Sequence, residues 1–375
     1  MHGNIKQKSH FKVTIGVDAD DYSRLQSVAN KTGLSTARLV REAMYQFLED
    51  ETKIPADFET SSSPKHSVVS FFSGCGGLDL GFRGGFDYNG LDFKRLPFEI
   101  LVAYDIDPKC VETYNLNISN HAEVRDLSSY DPASIPSADV LIGGFPCQEF
   151  SVCGPRGGLQ TTRGELYLSL TKYARRHKPK IIVGENVPGV EVLRGGEALK
   201  KILSDIEKEG YRVKVWKMFG PDYGVPQTRS RLFFICVRED LEGFPSIPVP
   251  THIENHRTIK WAIEDLEKIE DETVNNQSQY FRALKAIGGS GQGDEISCAD
   301  SPGYTVRANA RSRVQFHYSL KRRLTIRECA RLQTFPDSFH FPFSMTTNQM
   351  QVGNAVPPML GHVVATSISK WLEGK

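Results

Sequence analysis

Five short apolar runs, each followed by glycine or polar residues, set the main constraint on how this chain folds. They are VVSFF at 68–72, ILVAYDID around Val102, DVLIGG around Leu141, KIIVGENV around Ile182 and RLFFICV around Phe234. Helical patterns separate several of the runs, as at 163–176 and 197–208. Strands that alternate with helices form βαβ units, so the sequence predicts an α/β fold with a mostly parallel sheet. Such sheets bind ligands at the carboxyl ends of their strands, so we expect the functional residues there.

A linker is predicted at residues 49–65, EDETKIPADFETSSSPK, where charge, two prolines and a serine run occur together. Before it, Phe11 to Val17 alternate in polarity like a half-buried strand. A helix is predicted from Asp18 to Gly33 and a second one after Ser35. We therefore expect a separate N-terminal module over residues 1–48.

The charge of the 375 residues is balanced, with 46 Lys plus Arg against 45 Asp plus Glu, so no global field favours nucleic acid. Residues 239–303 hold 5 basic and 13 acidic residues, whereas residues 304–331 hold 8 basic and 1 acidic residue. This change predicts two faces, one of them suited to phosphate contacts. The acidic stretch at 264–272 is expected to be a solvated helix on the other face.

No apolar run approaches the ~18 residues of a membrane span, and no secretory signal is present, so we predict a cytoplasmic protein without a membrane partner. The seven cysteines form an odd set without a CxxC pair, which favours neither a disulfide framework nor a metal site.

Two predicted strand ends carry reactive side chains. In GGFPCQEFS, Pro146 fixes the backbone before Cys147, which suits an accessible nucleophile; the other six cysteines are expected to be buried and inert. In GENV, Glu185 ends an apolar strand, and desolvation there would raise its pKa and favour proton donation. The alternative is a structural carboxylate that pairs with an arginine.

Six blocks occur in an order that resembles the DNA (cytosine-5)-methyltransferases of restriction-modification systems. They are FSGCGGLDLGF at 72, GGFPCQEFS at 143, ENV at 185, QTRSRLFFI at 227, RRLTIRECARLQTFPD at 322 and QVGNAVPP at 351. The resemblance implies a Rossmann-like, S-adenosylmethionine-dependent catalytic domain at 66–238, a small target-recognition region at 239–320 and a C-terminal return to the catalytic domain at 321–375.

The resemblance also implies the catalytic roles. The Cys147 thiolate adds to carbon 6 of a flipped-out cytosine, and carbon 5 then takes the methyl group. Glu185 supplies a proton at N3, Arg231 binds the base carbonyl and Arg229 orients the site. The glycine-containing loop from Gln148 through Arg163 is expected to close over the base.

The cofactor residues implied by the resemblance come from five parts of the sequence. They are Phe72, Gly74, Cys75, Gly76 and Gly77 in the glycine turn, Asp105 and Ile106, Asp126 and Leu127, Pro146, and Asn354 with Val356. Glutamate is commoner than aspartate at the ribose position that Asp105 occupies. The DNA-reading candidates of the catalytic part are Gln148, Ser151, Arg307, Arg311 and Arg313.

The N-terminal module resembles the ribbon-helix-helix family, including GLSTARLVREAM at its second helix. The resemblance implies a homodimer whose paired strands read the major groove through Lys12 and Thr14, with Gly16 as a blank position. This module is expected to repress the enzyme's own promoter, or else only to dimerise the chain or pack on the catalytic domain.

The predicted partners are double-stranded DNA at the nucleoid and a cognate restriction endonuclease that acts on the same site without binding the enzyme. Two other functions stay open. One is a tRNA cytosine-5 methyltransferase on the same scaffold, and the other is a DNA-binding repressor with a vestigial catalytic domain.

Overall fold

The computed structural model describes residues 19–32, 36, 39–40, 66–146, 166–280, 295–309 and 315–373. The chain divides into two compact units, Met1–Ser61 and Ser62–Lys375. In the first unit, helix α1 spans Ala19–Thr32, which confirms the predicted first helix. The predicted strand at 11–17 lies outside the described residues, and of the predicted second helix only residues 36, 39 and 40 are described.

A seven-stranded sheet forms the centre of the second unit, within the residues that the structure describes. Its strand order is β5-β4-β1-β6-β7-β9-β8. The five strands from β5 to β7 are parallel, and β9 and β8 add antiparallel pairs at one edge. The bounds are β1 His66–Phe71, β4 Phe98–Asp105, β5 Ala122–Val124, β6 Val140–Gly144, β7 Ile181–Asn186, β8 Tyr211–Phe219 and β9 Ser230–Arg238. The mostly parallel sheet is therefore confirmed.

Both faces of the sheet are covered by helices, which explains why its strands are almost continuously apolar. Successive residues of a strand point to opposite faces, so Val68 belongs to one core cluster and Val69 to the other. The flanking and connecting helices are α2 Gly77–Arg83, α3 Pro108–Asn117, α4 Leu168–His177, α5 Gly189–Val192, α6 Glu197–Glu207, α7 Ile259–Ile263, α8 Ile326–Leu332, α9 Met345–Asn354 and α10 Pro358–Leu372.

Helices α2 and α10 lie against each other through glycines. A Cβ atom on Gly81 would stand 2.6 Å from the Pro358 carbonyl oxygen, so no larger residue fits there without a shift. The C-terminal helix therefore packs directly beneath the helix that follows the glycine turn. Smaller elements are the hairpin β2 Phe86–Tyr88 with β3 Leu91–Phe93, and the short pair β10 Glu295–Ile296 with β11 Gln315–Phe316.

Two expectations about the chain need correction. Strands β5 and β8 were not predicted, although Val213 and Val215 alternate with polar residues in β8. The acidic stretch at 264–272 is not a solvated helix, since only Glu264–Leu266 forms a single 3₁₀ turn. No described helix has the length and apolar character needed to cross a membrane.

Two of the eight basic residues of the stretch at 304–331, Arg327 and Arg331, are engaged inside the fold and are not free for phosphate contacts. Arg327 donates to the backbone carbonyls of Asn275, Pro336 and Phe339. Arg331 pairs with Asp265, from the acidic stretch, and with Asp337. One pair, Arg331–Asp265, therefore joins the two stretches, with the guanidinium buried and the carboxylate exposed. A buried guanidinium group needs such acceptors.

Candidate active site

A cavity of about 620 Å³ opens at the carboxyl ends of the five parallel strands. This volume lies within the roughly 300–1,000 Å³ of small-molecule sites. Its walls include residues that directly follow each strand: Phe72 to Cys75 after β1, Asp105 to Asp107 after β4, Arg125 to Ser128 after β5, Gly144 to Pro146 at β6, and Glu185 to Val187 at β7. The position agrees with the sequence-based expectation for an open α/β sheet.

The turn after β1 adopts a left-handed backbone. Phe72 has φ 54° and Gly74 has φ 55°. A positive φ is unfavourable for phenylalanine, so the surrounding structure holds this side chain at the cavity wall under strain. A Cβ atom on Gly77 would stand 2.3 Å from the Val356 carbonyl oxygen, which closes the turn against the C-terminal part of the chain. The turn is therefore shaped by close backbone approach.

Asp105 is held in place by the backbone of this turn. Its Oδ2 accepts a hydrogen bond from the Gly74 amide at 2.8 Å, and its Oδ1 accepts one from the Asp107 amide at 2.9 Å. Burial raises the pKa of Asp105, and the two amides oppose that rise. Each carboxylate oxygen can accept a further bond, so Asp105 can still receive hydroxyl donors from a ligand.

The next wall combines an apolar and a polar part. Ile106 is 66% exposed, although it is a large apolar side chain that lines the cavity. Leu127 is buried. Asp126 is exposed, and its Oδ1 accepts a bond from the Ser128 amide at 2.8 Å; bonds from Ser128 lower the pKa of Asp126. An apolar ligand surface against Ile106 would remove exposed hydrocarbon from water.

Glu185 of β7 and Arg231 of β9 form an ion pair on the cavity wall. The Arg231 Nε lies 2.6 Å from Glu185 Oε1, and both side chains are about nine-tenths buried. Burial raises the pKa of Glu185, as predicted, while Arg231 and then Arg229 act in the opposite direction. A Cβ atom on Gly144 would stand 3.1 Å from Glu185 Oε2, so the absence of a side chain at Gly144 avoids a close contact with the carboxylate. The pair thus joins both predictions for Glu185: the acid candidate is also paired with an arginine.

Arg229 does not line the cavity. It is 1% exposed, and its guanidinium donates to the carbonyls of Val306 at 3.0 Å, Gly353 at 2.9 Å and Ala355 at 2.8 Å. These bonds occupy its Nη1 and Nη2 atoms, so the side chain orients backbone and does not reach a substrate in this arrangement.

Most of the other predicted cofactor residues lie on the cavity wall, namely Cys75, Pro146, Asn354 and Val356. Gly76 does not. A Cβ atom there would meet Ile118 at 2.2 Å, so Gly76 permits packing against the end of α3. Cys75 is buried, and burial raises its pKa to about 12, which makes its thiol unreactive near neutral pH.

Several predicted residues lie outside the described part of the chain: Lys12, Thr14, Cys147, Gln148, Ser151, Arg311 and Arg313. Arg307 is described and half-buried, and it does not line the cavity. Among the described cysteines, Cys298 is exposed, which contradicts its expected burial, whereas Cys110, Cys236 and Cys329 are buried. No cluster with metal-ligand character occurs in the described residues.

Sequence reasoning missed part of the wall. Asp107, Arg125, Met350 and Gln351 line the cavity. Asp107 could have been found, because it lies two residues after the end of the predicted strand β4, whereas Arg125 follows β5, which was not predicted. Gln351 opens the QVGNAVPP block, which was read only for Asn354 and Val356, and Met350 lies directly before that block.

Comparison with known proteins places this geometry in a family. The family described as C-5 cytosine-specific DNA methylase matches residues 66–370. The chain is 32% identical over 343 residues to the type II methyltransferase M.FnuDI of Fusobacterium nucleatum, covering 82% of this chain and 95% of that protein. It is 30% identical over 424 residues to the type II methyltransferase M.BsuRI of Bacillus subtilis, covering 98% of this chain and 92% of that protein.

A solved structure supports the fold. A putative DNA modification methyltransferase of an Escherichia coli prophage superposes with a TM-score of 0.63 at 22% identity, covering 82% of this chain and 99% of that one. The family match spans most of the chain, and its blocks surround the cavity. The chain belongs to the C-5 cytosine-specific DNA methylase family, and it is an S-adenosylmethionine-dependent DNA (cytosine-5-)-methyltransferase.

Proposed function

We propose that this enzyme methylates carbon 5 of a cytosine within a specific sequence of duplex DNA, as the modification enzyme of a restriction-modification system. The observation that carries the proposal is the buried Glu185–Arg231 pair on the wall of the strand-end cavity. The relatives M.FnuDI and M.BsuRI, both type II methyltransferases, support the link to restriction-modification.

The residues of the cavity fit S-adenosylmethionine. The wall carries five acidic side chains against two guanidinium groups, and the acidic side chains still outnumber the guanidinium groups when Asp79 and Glu185 hold protons, which favours a cationic ligand. Asp105 would accept bonds from the ribose hydroxyls, Ile106 and Leu127 would pack on the adenine with Asp126 at its edge, and Phe72 would lie against the same ring. The turn at Gly74 and Gly77, with Cys75, Pro146, Asn354 and Val356, would enclose the remainder. S-adenosylmethionine, when bound, supplies an electrophilic methyl group on a sulfonium centre.

Catalysis by the chain begins with the base. Carbon 5 of cytosine is a poor nucleophile, and addition of the Cys147 thiolate to carbon 6 turns it into an enamine carbon that can attack the methyl group. Negative charge then develops toward N3, where Glu185 donates a proton. Arg231 binds the base carbonyl, and loss of the carbon 5 proton finally expels the Cys147 thiolate.

The raised pKa of Glu185 supports its role as the acid. A carboxyl group that is to donate a proton near neutral pH must hold that proton more tightly than an exposed glutamate does. Burial raises the pKa of Glu185, and the Arg231 guanidinium opposes that rise. Removal of one arginine contact when the base carbonyl enters would shift the balance further toward the protonated form.

Access to the base requires that it leave the duplex, since the reacting carbons are covered by stacking. We assign target recognition to residues 239–320, with Arg307, Arg311, Arg313, Gln148 and Ser151 as contacts. The paired acidic and basic stretches leave fewer free arginines than the sequence suggests. Recognition should therefore depend on a small number of side chains.

The N-terminal unit is proposed as a ribbon-helix-helix module that dimerises, binds the enzyme's own promoter through Lys12 and Thr14, and represses it. In support, Tyr22 and Val28 of α1 are each 46% exposed, which suits burial against a second copy. A variant that lacks residues 1–60 should lose promoter binding in a mobility-shift assay and keep methyl transfer. Equal promoter binding by the full chain and the shortened one would exclude autorepression.

The central test uses labelled S-adenosylmethionine with duplex DNA or with tRNA as acceptor, followed by bisulfite sequencing of the DNA. We expect label in DNA at one sequence context and none in Cys147→Ala. A duplex that carries 5-fluorocytosine at that site should form a covalent adduct through residue 147. Transfer to tRNA alone, or full activity of Cys147→Ala, would refute the proposal, and binding of both ligands without transfer would favour the vestigial repressor.

A further inference from the structure

A second set of buried contacts joins two parts of the chain that the proposed function treats separately. The recognition segment, residues 303–308, belongs to the region assigned to the DNA target. The cofactor segment, residues 350–356, includes residues on the cavity wall. Both segments are attached to residues 227–229, immediately before β9.

The recognition segment is held through both the amide and the carbonyl of Val306. The Val306 amide donates to Gln227 Oε1 at 2.9 Å, and its carbonyl accepts from Arg229 Nη1 at 3.0 Å. The Thr228 amide also donates to the Gly303 carbonyl at 2.7 Å. Val306 is buried, so water does not replace these bonds.

The same arginine holds the cofactor segment. Arg229 Nη2 donates to the Gly353 and Ala355 carbonyls, on either side of Asn354. A second chain of bonds runs in parallel: Gln227 Nε2 donates to Gln333 Oε1 at 2.7 Å, and Gln333 Nε2 donates to the Ala355 carbonyl at 3.1 Å. Gln227 and Arg229 therefore hold both segments at the same time.

The two segments also touch directly. A Cβ atom on Gly353 would lie 2.2 Å from the Ala308 nitrogen and 2.2 Å from the Arg307 carbonyl carbon. Gln349, in α9, donates to the Arg307 carbonyl at 2.7 Å. Close-packed backbone in a buried site cannot shift on one side only, since lost contacts and unpaired carbonyls oppose it.

We propose that Arg229 and Gly353 are positioning residues that couple occupancy of the cofactor cavity to DNA recognition. A change in the backbone at 353–355 on ligand binding moves the acceptors of Arg229, and with them Val306. This proposal rests on the proposed function, because it takes residues 303–308 as part of the DNA-binding surface.

The test measures DNA affinity by fluorescence anisotropy, on a labelled duplex with the site found by bisulfite sequencing, with and without S-adenosylhomocysteine. For the unaltered enzyme we expect this ligand to tighten DNA binding by about tenfold, within the usual range of coupling between sites. In Arg229→Lys the ratio of the two dissociation constants should fall to within about twofold of unity. Calorimetry should still detect S-adenosylhomocysteine binding to the variant without DNA.

Arg327→Lys is the matched control, because Arg327 is also buried and also donates to three backbone carbonyls, none of them in either segment. It should be destabilised like Arg229→Lys and keep the tenfold ratio. Gln349→Ala is a milder variant that removes one direct bond between α9 and the recognition segment. It should also lower the ratio of the two dissociation constants, and it provides the test if Arg229→Lys does not fold.

The outcomes separate the two proposals. A ratio near unity in the unaltered enzyme, or an unchanged ratio in Arg229→Lys and Gln349→Ala, would overturn the coupling and leave the methylation assay untouched. A loss of ratio in Arg327→Lys equal to that in Arg229→Lys would also overturn it, because general destabilisation would then explain both. Absence of any methyl transfer to DNA would instead refute the proposed function.

Discussion

Two buried glutamates, each paired with an arginine, lie in different parts of this enzyme and differ in how completely they are satisfied. Glu328 caps helix α8: its Oε2 accepts from the Thr325 amide at 2.9 Å and from Arg322 Nη1 at 2.8 Å, and its Oε1 accepts from Arg322 Nη2 at 2.7 Å. Glu185 has a one-point contact with Arg231 Nε at 2.6 Å. Glu328 is fully buried in the protein, whereas Glu185 faces the cavity.

The difference shows what distinguishes a scaffold ion pair from a catalytic one. A bidentate pair with an additional amide bond fixes one geometry, and the complete burial of Glu328 keeps a substrate from reaching it. A one-point pair at a cavity keeps free lone pairs and a raised pKa, and it can rearrange when a base enters. The same residue types therefore serve stability in one place and chemistry in the other.

The strongest way to break this comparison is Glu185→Gln. The amide cannot donate an acidic proton at N3, so we expect the single-turnover rate of methyl transfer to fall by roughly 10² to 10⁴. Folding and binding of S-adenosylhomocysteine should remain close to those of the unaltered enzyme. A rate within a few-fold of the unaltered one, measured by rapid quench, would show that Glu185 is only structural.

The converse substitution is Glu328→Gln. Removal of one partner leaves Arg322 without its charge partner in a buried site, which should lower the free energy of unfolding by about 3 kcal/mol. Urea denaturation followed by tryptophan fluorescence measures the change. The rate per folded molecule should stay the same, so a large loss of rate without a loss of stability would reverse the assignment.

Asp79 sharpens the comparison, because it is a buried carboxylate without an arginine. Its Oδ1 accepts from the Tyr114 hydroxyl at 3.1 Å, and burial raises its pKa to about 7. The folded state thus holds this proton more tightly than the unfolded state, so stability is lost as pH rises from about 4 to about 7.

Asp79→Asn should remove that loss. We expect the variant to be more stable than the unaltered enzyme by up to about 4 kcal/mol at pH 8 and close to it at pH 4. Urea denaturation at both pH values provides the measurement. A difference that does not change with pH would mean that Asp79 does not titrate in this range.

The smallest expected effect concerns the apolar wall. Ile106→Ser removes hydrocarbon that a ligand ring would cover, at about 1 kcal/mol, so S-adenosylhomocysteine should bind about fivefold more weakly in calorimetry. The rate at saturating S-adenosylmethionine should not change, because the Glu185–Arg231 pair is not altered. Leu116→Ser, at an exposed position that does not line the cavity, serves as the control.

The sequence predicted the core of this architecture because local patterns encode it. The strands β1, β4, β6, β7 and β9 were found from apolar runs, and residues at the carboxyl ends of the first four line the cavity. Strand β8 was missed because Lys214 and Lys217 interrupt its apolar pattern, as suits an edge strand. The contacts of Gln227, Arg229 and Gln333 could not be predicted, since each depends on residues more than 15 positions away in the chain.

The charged stretches at 264–272 and 304–331 also show that contacts between distant residues cannot be predicted from local sequence. Composition alone suggested a free basic face, yet Arg331 and Asp265 meet across 66 positions. Charge counts along a sequence do not show which charges find each other, because that depends on tertiary packing. Arg229, predicted to orient the site, likewise finds its partners far along the chain, at the carbonyls of Val306, Gly353 and Ala355.

The absent side chain at Gly353 has a consequence for protein engineering. Because Ala308 and Arg307 press against that position, any foreign target-reading region grafted onto this scaffold must reproduce the local backbone path at 306–308. Chimaeras joined outside that stretch should keep their methylation activity, and those joined within it should lose it. New sequence preferences are therefore best introduced at a distance from the contact between Gly353 and residues 307–308.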